Sequence, residues 1–295
     1  MTVEPSEQWL HRELASGPIL MGVLNVTPDS FSDGGRYRCR DAALRQAEAM
    51  LREGACIIDV GGESSRPGAV EVSEQEELDR VLPVIEALVH NTAARVSVDT
   101  VKPAVMLEAV RAGVHMINDI AALCHPGALD VVAQSDVVVC LMHMQGTPET
   151  MQRNPCYPEP SSSRSSAMPN DHTLVDPVVN AVRDFLSERL AVCDAAGVIR
   201  SRVCVDPGFG FGKTLEHNLA LLRHLSALSC FGCPVLVGVS RKSMIGQLLQ
   251  RPVEARLPGG LALTYEALLR GASIVRTHDV APTRDVLNVW RALRA

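Results

Sequence analysis

The chain has 295 residues, 46% of them apolar and 21% charged, the profile of an ordinary globular protein with ample material for a core. With 28 Lys and Arg against 34 Asp and Glu the formal charge is −6, and the three lysines (Lys102, Lys213, Lys242) form no basic run. This excludes the electrostatic footprint of a nucleic-acid binder and the polybasic patch of a protein held on anionic membranes.

No apolar run approaches the ~20 residues of a bilayer span. The opening stretch carries Glu4, Glu7 and Glu13 with no apolar core, so it is not read as a secretory signal. The nine cysteines are scattered. Cys56, Cys140 and Cys204 sit inside apolar runs, where a free thiol behaves as a small hydrophobe. A reducing cytoplasm is the compartment this usage suggests. Cys230 and Cys233 make a single C-x-x-C that lacks the second pair or spaced His of a zinc site.

In chain order, residues 1–17 read as an N-terminal extension and 18–295 as one domain. Short runs rich in Val and Ile fall at 18–24, 55–60, 95–98, 114–117, 136–141, 202–205, 234–239 and 273–276. Continuous apolar runs of this kind are strands of a parallel sheet covered on both faces. Between them, 41–52, 73–89, 103–112, 176–195, 216–228, 258–270 and 282–293 carry helical patterns. Ser73-x-x-Glu76 supplies a capping box for one of these. Eight strand runs at a spacing of roughly 36 residues match the βα unit of a (β/α)8 TIM barrel, the α/β fold expected here. Residues 155–177, rich in Ser and Pro, read as a flexible surface insertion after the fifth strand.

Every strand run gives way to polar residues. Leu24 precedes Asn25 and Val60 precedes GGESSRPG; Val98 precedes Asp99 and Ile117 precedes Asn118-Asp119. Leu141-Met142 precedes His143, Val205 precedes Asp206, Val239 precedes Ser240-Arg241-Lys242-Ser243, and Arg276 precedes His278. A closed barrel gathers these ends on one rim, the face where barrel active sites are built. Asp99, Asn118 and Asp206 suit a planar heterocycle with several N–H donors, since a carboxylate accepts two parallel bonds from an amidine-like edge. Lys242 can donate to a ring carbonyl or nitrogen, with a salt bridge to one of the aspartates as the competing expectation. Asn25, Arg276 and His278 come from the first and last strands, neighbours in a closed barrel, and form a compact anion site. The segment PGFGFGKT fails both phosphate-loop templates, and its glycines are expected to let the backbone approach a flat ligand. Loops with Gly34-Gly35 and Gly68 suit a lid over the rim.

The segments MGVLNVTPDSFSDGG, IIDVGGESSRPGA, SVDT, INDI, LMHMQG, DPGFGFGK, GVSRKSMIG and RTHDV, in this order, resemble the dihydropteroate synthase family over most of the chain. The resemblance implies a (β/α)8 barrel, acting as a homodimer, that joins 6-hydroxymethyl-7,8-dihydropterin diphosphate to 4-aminobenzoate with release of pyrophosphate. It assigns Asp99, Asn118, Asp206 and Lys242 to the pterin. It assigns Asn25, Arg66, Arg276 and His278 to the diphosphate, with Asn25 also a ligand to Mg2+. Phe31, Ser65, Pro67 and Ser243 are assigned to the 4-aminobenzoate. Asp33, Arg66, Lys242, Arg276 and His278 make the expected catalytic set. No covalent nucleophile and no strong base are expected, because the arylamine is uncharged at neutral pH.

Three departures stand out: Ser65 where the family carries Thr, Gly260 where it carries Ser, and the Ser/Pro-rich insertion. Competing readings are a methyltetrahydrofolate methyltransferase-type barrel, a Schiff-base aldolase on Lys242, and a non-catalytic pterin-binding paralogue.

Overall fold

A computed structural model describes residues 6–27, 36–158 and 176–294 of the chain. Eight parallel strands form one sheet: β1 (Ile19–Asn25), β2 (Ile57–Gly61), β3 (Arg95–Asp99), β4 (Met116–Asp119), β5 (Val138–Met142), β6 (Val203–Asp206), β7 (Leu236–Val237) and β8 (Ile274–Thr277). Their order is β6-β5-β4-β3-β2-β1-β8-β7. A parallel bridge between Val205 and Val235 joins the two ends, with the Val205 amide donating to the Pro234 carbonyl at 3.0 Å. The sheet therefore closes as the (β/α)8 barrel that the strand spacing implies.

Alternation along each strand sorts the side chains. Leu20, Leu24, Ile58, Val60, Val96 and Val98 face outward into the layer between sheet and helices. Ile19, Met21, Ile57, Met116, Val138, Cys140, Cys204, Leu236 and Ile274 fill the lower barrel interior. Strands buried on both faces must be apolar at nearly every position, which is why the runs are continuous in sequence. Asp59, Ser97, Asp99, Asn118, Asp206 and Arg276 are exceptions that lie on the inward face toward the C-terminal ends, where the interior turns polar, while the buried Asp119 faces outward and accepts from the Ala121 and Leu123 amides.

The helices are α1 (Ser6–Ala15), α2 (Arg36–Glu53), α3 (Glu74–Asn91), α4 (Pro103–Arg111), α5 (Ala128–Ala133), α6 (Pro177–Ala195), α7 (Leu215–Arg223), α8 (Ser243–Leu249), α9 (Leu257–Leu269) and α10 (Val280–Ala292). Ser73 caps α3 by accepting from the Glu76 amide at 3.2 Å. Asp176 caps α6 through the Val178 amide, and Pro177 occupies the first helical turn, where its missing N–H costs nothing. Of the stretch 155–177, residues 159–175 lie outside the described residues.

Three helices go beyond the periodicity of the sequence. α5 and α8 are too short to show a period. α1 lies within the N-terminal extension, 1–17, for which the sequence suggested no helix. It lies across the N-terminal mouth of the barrel, and its Trp9 and Leu10 are fully buried in the lower interior cluster. The Arg95 guanidinium stands 5.5 Å over the Trp9 ring, and His115 meets the ring edge-on at 6.3 Å. A ten-residue helix is marginal alone, so its stability comes from this packing. Replacing Trp9 with Ala should cost about 3–5 kcal/mol of unfolding free energy, read from urea denaturation. A cost below about 1 kcal/mol would show that the barrel floor is sealed without α1.

Candidate active site

Five strands deliver the polar side chains of the upper interior to one place. Arg276, from β8, donates through Nε to Asp59 Oδ2 at 2.7 Å and through Nη2 to Asp99 Oδ2 at 2.8 Å. Asn118 Nδ2 donates to the same Asp59 oxygen at 3.1 Å. Asp59 is fully buried, and its other oxygen has no partner among the described residues. Burial pushes the Asp99 carboxyl well above the usual carboxylate range, against the pull of Arg276 and with Asp59 adding repulsion. The same two carboxylates hold the Arg276 guanidinium firmly charged despite its burial.

Asp59 is not among the residues expected from sequence. Its signal is nonetheless present there: a carboxylate inside the apolar run Ile57-Ile58-Asp59-Val60 must find a partner when the strand is buried.

Asp206, at the end of β6, turns one oxygen to the Gly208 amide at 2.7 Å, and burial raises its pKa. Lys242 follows β7. Its ammonium donates to the Phe209 carbonyl and lies 4.5 Å from the Phe211 ring centroid, rather than pairing with a carboxylate. Burial lowers its pKa to about 8, against the opposing field of Asp206. The glycines of the loop 207–214 do a different job from the one expected. A Cβ on Gly208 would stand 1.9 Å from the His143 carbonyl oxygen, and one on Gly212 would stand 2.5 Å from the Gln145 carbonyl oxygen. They let this loop lie on the backbone that follows β5, and only Gly210, 3.3 Å from Lys242 Cδ, faces the site.

Next to Arg276, His278 places Nδ1 3.1 Å from Ser240 Oγ, and the His278 amide donates to the same hydroxyl at 3.2 Å. Burial and the nearby Arg276 charge lower the His278 pKa to about 4, so the imidazole is neutral at pH 7. Ser240 also donates to Asp279, which is tied to Arg241 in an ion pair that holds its carboxyl below the usual range. Asn25 ends β1 opposite Gly61, and Gly61 in turn stands opposite Asp99. The missing Cβ at Gly61 leaves the row from Asn25 to Asp99 open: a Cβ there would sit 3.7 Å from Asn25 Oδ1 and 3.8 Å from Asp99 Oδ2.

The loop after β2 carries Ser65, half-buried, and Arg66 and Pro67, both exposed. Its Gly68 amide donates to the Pro148 carbonyl at 3.0 Å, so the loop leans toward the β5 side. The Arg66 charge is felt at His278, in keeping with a shared anion site. Among the described residues no hydrogen bond joins Ser65 to Ser243, which is exposed at the start of α8. Phe31 and Asp33 lie outside the described residues. A cavity of about 990 Å3 opens beside the cluster, under the loops after β2, β4 and β5, with Ser65, Asp99, Ile120, Met144 and Phe185 in its wall. It is displaced from Lys242 and Arg276 and meets the cluster at Asp99, so the site rests on the charge network and the cavity supplies the approach to it. Among the described residues no three His, Cys, Asp or Glu side chains cluster as a metal cage.

Replacing Asp59 with Asn leaves the guanidinium short of half its compensation. Removal of one member of a buried pair costs several kcal/mol, so Asp59→Asn should lower unfolding free energy by about 3 kcal/mol in urea titrations. A loss within about 0.5 kcal/mol would mean that Asp99 alone compensates Arg276.

Residues 21–278 match the family described as pterin binding enzyme. The chain is 48% identical to the dihydropteroate synthase of Escherichia coli (strain K12) over 277 residues, covering 94% of this chain and 92% of that protein. It is likewise 48% identical to the dihydropteroate synthase of Haemophilus influenzae, covering 94% of each. The Yersinia pestis dihydropteroate synthase in its sulfonamide complex superposes with a TM-score of 0.84 at 48% identity, with 94% of each chain covered. The Xanthomonas albilineans dihydropteroate synthase in complex with 7,8-dihydropteroate superposes with a TM-score of 0.77 at 42% identity, covering 94% of this chain and 93% of that one. With its closed barrel, its rim of paired carboxylates and near-complete coverage in both directions, the chain belongs to the dihydropteroate synthase family of pterin-binding enzymes.

Proposed function

We propose that the chain joins 6-hydroxymethyl-7,8-dihydropterin diphosphate to 4-aminobenzoate, forming 7,8-dihydropteroate and pyrophosphate. The observation that carries this reading is the set Asp99, Asn118, Asp206 and Arg276, with Asn118 and Asp206 buried and Asp99 and Arg276 partly so, delivered to one point by four strands and bordered by Lys242. A pterin presents an amino group beside a ring N–H, a two-donor edge of the kind a carboxylate accepts, and Asp99 already accepts one guanidinium N–H from Arg276. In this reading the pterin takes over Asp99, Asn118 and Asp206 bind further edges, and Lys242 donates to the ring carbonyl or a ring nitrogen. Arg276, still held by Asp59, then turns its remaining N–H groups to the diphosphate beside Asn25, His278 and Arg66.

Leaving-group physics completes the mechanism. When the exocyclic C–O bond breaks, the pterin ring spreads the positive charge, and the buried carboxylates stabilise it. The departing pyrophosphate meets fixed cations and donors, which lower the barrier because they are oriented before reaction. The uncharged amine of 4-aminobenzoate attacks the exocyclic carbon; Phe31, Ser65, Pro67 and Ser243 would hold it. The loops after β1 and β2, with Asp33 and Arg66, would exclude water, the competing nucleophile.

Mg2+ fits this donor set in one manner. It takes hard oxygen ligands and keeps several waters, bound through one or two protein groups plus substrate phosphates. Asn25 offers one such oxygen at the anion site, and the absence of a carboxylate cage among the described residues agrees with a cation carried in on the diphosphate. When bound, the ion neutralises the leaving pyrophosphate. Exposed Leu248, Leu249, Val253 and Leu257, on and between α8 and α9, support the homodimer. The described cysteines are free thiols and no described helix is long and apolar enough to cross a membrane, in keeping with a cytoplasmic site of action.

With Mg2+ and the pterin diphosphate, the purified protein should release pyrophosphate only when 4-aminobenzoate is added, one for each dihydropteroate formed. EDTA should stop turnover without moving the melting temperature of the free protein, since no protein cage is emptied. Release that ignores 4-aminobenzoate would overturn the synthase reading. Asp99→Ala should weaken calorimetric binding of 6-hydroxymethyl-7,8-dihydropterin about tenfold or more, whereas His278→Ala should weaken pyrophosphate and spare the pterin alcohol. Identical losses in both variants would sink this division.

A further inference from the structure

The loop 207–214 presents four successive carbonyls, each with its own side-chain donor. The Phe209 carbonyl accepts from the Lys242 ammonium. The other three accept from donors outside the proposed site residues. The Gly210 carbonyl accepts from Gln152 Nε2 at 2.6 Å, the Phe211 carbonyl from Lys213 Nζ at 2.9 Å, and the Gly212 carbonyl from the Tyr157 hydroxyl at 2.8 Å. Gln152 and Tyr157 belong to the arm that follows β5 and opens the Ser/Pro-rich stretch, a feature that the reaction leaves unexplained.

That arm is itself fixed. Gln145 and Cys156 exchange two bonds, Nε2 to the Cys156 carbonyl at 2.8 Å and the Cys156 amide to Oε1 at 3.0 Å. Lys213 ties the arm's first residue to the loop, with Nζ 2.9 Å from His143 Nδ1 and 3.2 Å from the His143 carbonyl. The Tyr157 ring stands edge-on to His217 at 4.9 Å, so its hydroxyl is aimed by packing on a ring from α7. Gly208 and Gly212 have positive φ of 69° and 64° and no room for a Cβ, so the loop is pressed onto the arm along its length.

We infer that this arm is a brace for the pterin end of the site, in which Gln152 and Tyr157 are positioning residues: by holding the carbonyls of Gly210 and Gly212 they fix the Phe209 carbonyl and the Phe211 ring on which Lys242 rests. Neither side chain touches the proposed substrate position. The inference rests on the reading that Lys242 holds the pterin. The titratable and charged groups that face Lys242 are Asp206 from β6, Asp99 from β3, Arg276 from β8, and Lys213 of the loop itself. Substituting Gln152 or Tyr157 removes none of these groups, and Asp99 and Arg276 lie on strands apart from the loop, so a loosened loop acts on Lys242 first through its acceptor and its aromatic face. Both favour the ammonium, and weakening them lowers the pH at which Lys242 loses its proton.

The test uses the full chain with Tyr157→Phe and Gln152→Ala made separately; Tyr157→Phe keeps the ring packing and removes only the hydroxyl. In each variant the pterin diphosphate should show a KM raised about three- to tenfold, the worth of one hydrogen bond. The arylamine substrate should keep its wild-type KM, and the melting temperature should fall by no more than about 4 °C, the cost of one lost hydrogen bond. The alkaline limb of kcat/KM for the pterin diphosphate should shift to lower pH. In a Lys242→Gln background the same changes should have no further effect on pterin KM. Wild-type pterin KM and an unmoved alkaline limb in both variants would overturn the brace, as would an undiminished effect in the Lys242→Gln background. If Lys242→Gln alone leaves pterin KM unchanged, the assignment of Lys242 fails, and the brace with it.

Discussion

The barrel holds an arginine and three carboxylates in a space from which most water is excluded, and this requirement for mutual compensation shapes the upper interior. Arg276 cannot be buried without Asp59 and Asp99, and Asp59 cannot be buried without Arg276 and Asn118. These residues come from β2, β3, β4 and β8, far apart in the chain, and meet only because the sheet closes on itself. Closure thus does two things at once: it removes the sheet edges, and it assembles a charged floor for a polar planar ligand. Arg276 gives one N–H to each of two carboxylates, so each acid is satisfied by a planar nitrogen donor, the same kind of group that the edge of a pterin presents.

The three lysines show how burial separates side chains of one type into different jobs. Lys102 is buried against Glu63 and Glu77, ties the root of the β2 loop to α3, and has its pKa raised by those bonds. Lys213 is buried without a carboxylate, bonds to two carbonyls and a histidine, and has its pKa driven far down by desolvation. Lys242 stands between these extremes, near Asp206 but bonded to a carbonyl, with a pKa of about 8. Such a group keeps its proton at neutral pH yet responds to small changes in its surroundings, which makes the loop that carries its acceptor worth bracing.

Much of this is legible in the residues. Continuous Val- and Ile-rich runs at a regular spacing give away the barrel, because a strand covered on both faces has no polar side to show. The polar residue after each run marks the rim, and most of the residues assigned to the pterin and the anion fall there. Asp59 escapes that rule because it lies within a run rather than after one. The helix α1 escapes because ten residues with two buried anchors carry little period of their own. The glycines after β6 look like ligand contacts, since sequence shows that a backbone comes close without showing what it comes close to.

The amino-acid sequence by itself determined the strand and helix repeat, the parallel barrel and the kinds of side chain on its rim, because hydrophobic periodicity and strand-end polarity are local properties of the chain. Only the tertiary structure decided which charges pair, that Arg276 bridges Asp59 and Asp99, that Lys242 rests on a carbonyl and a ring, and that the arm after β5 carries the loop beneath it. Those outcomes depend on distances between residues remote in sequence and on how deeply each is withdrawn from water. Desolvation and pairing at that scale arise from the closed barrel as a whole, and no local pattern encodes them.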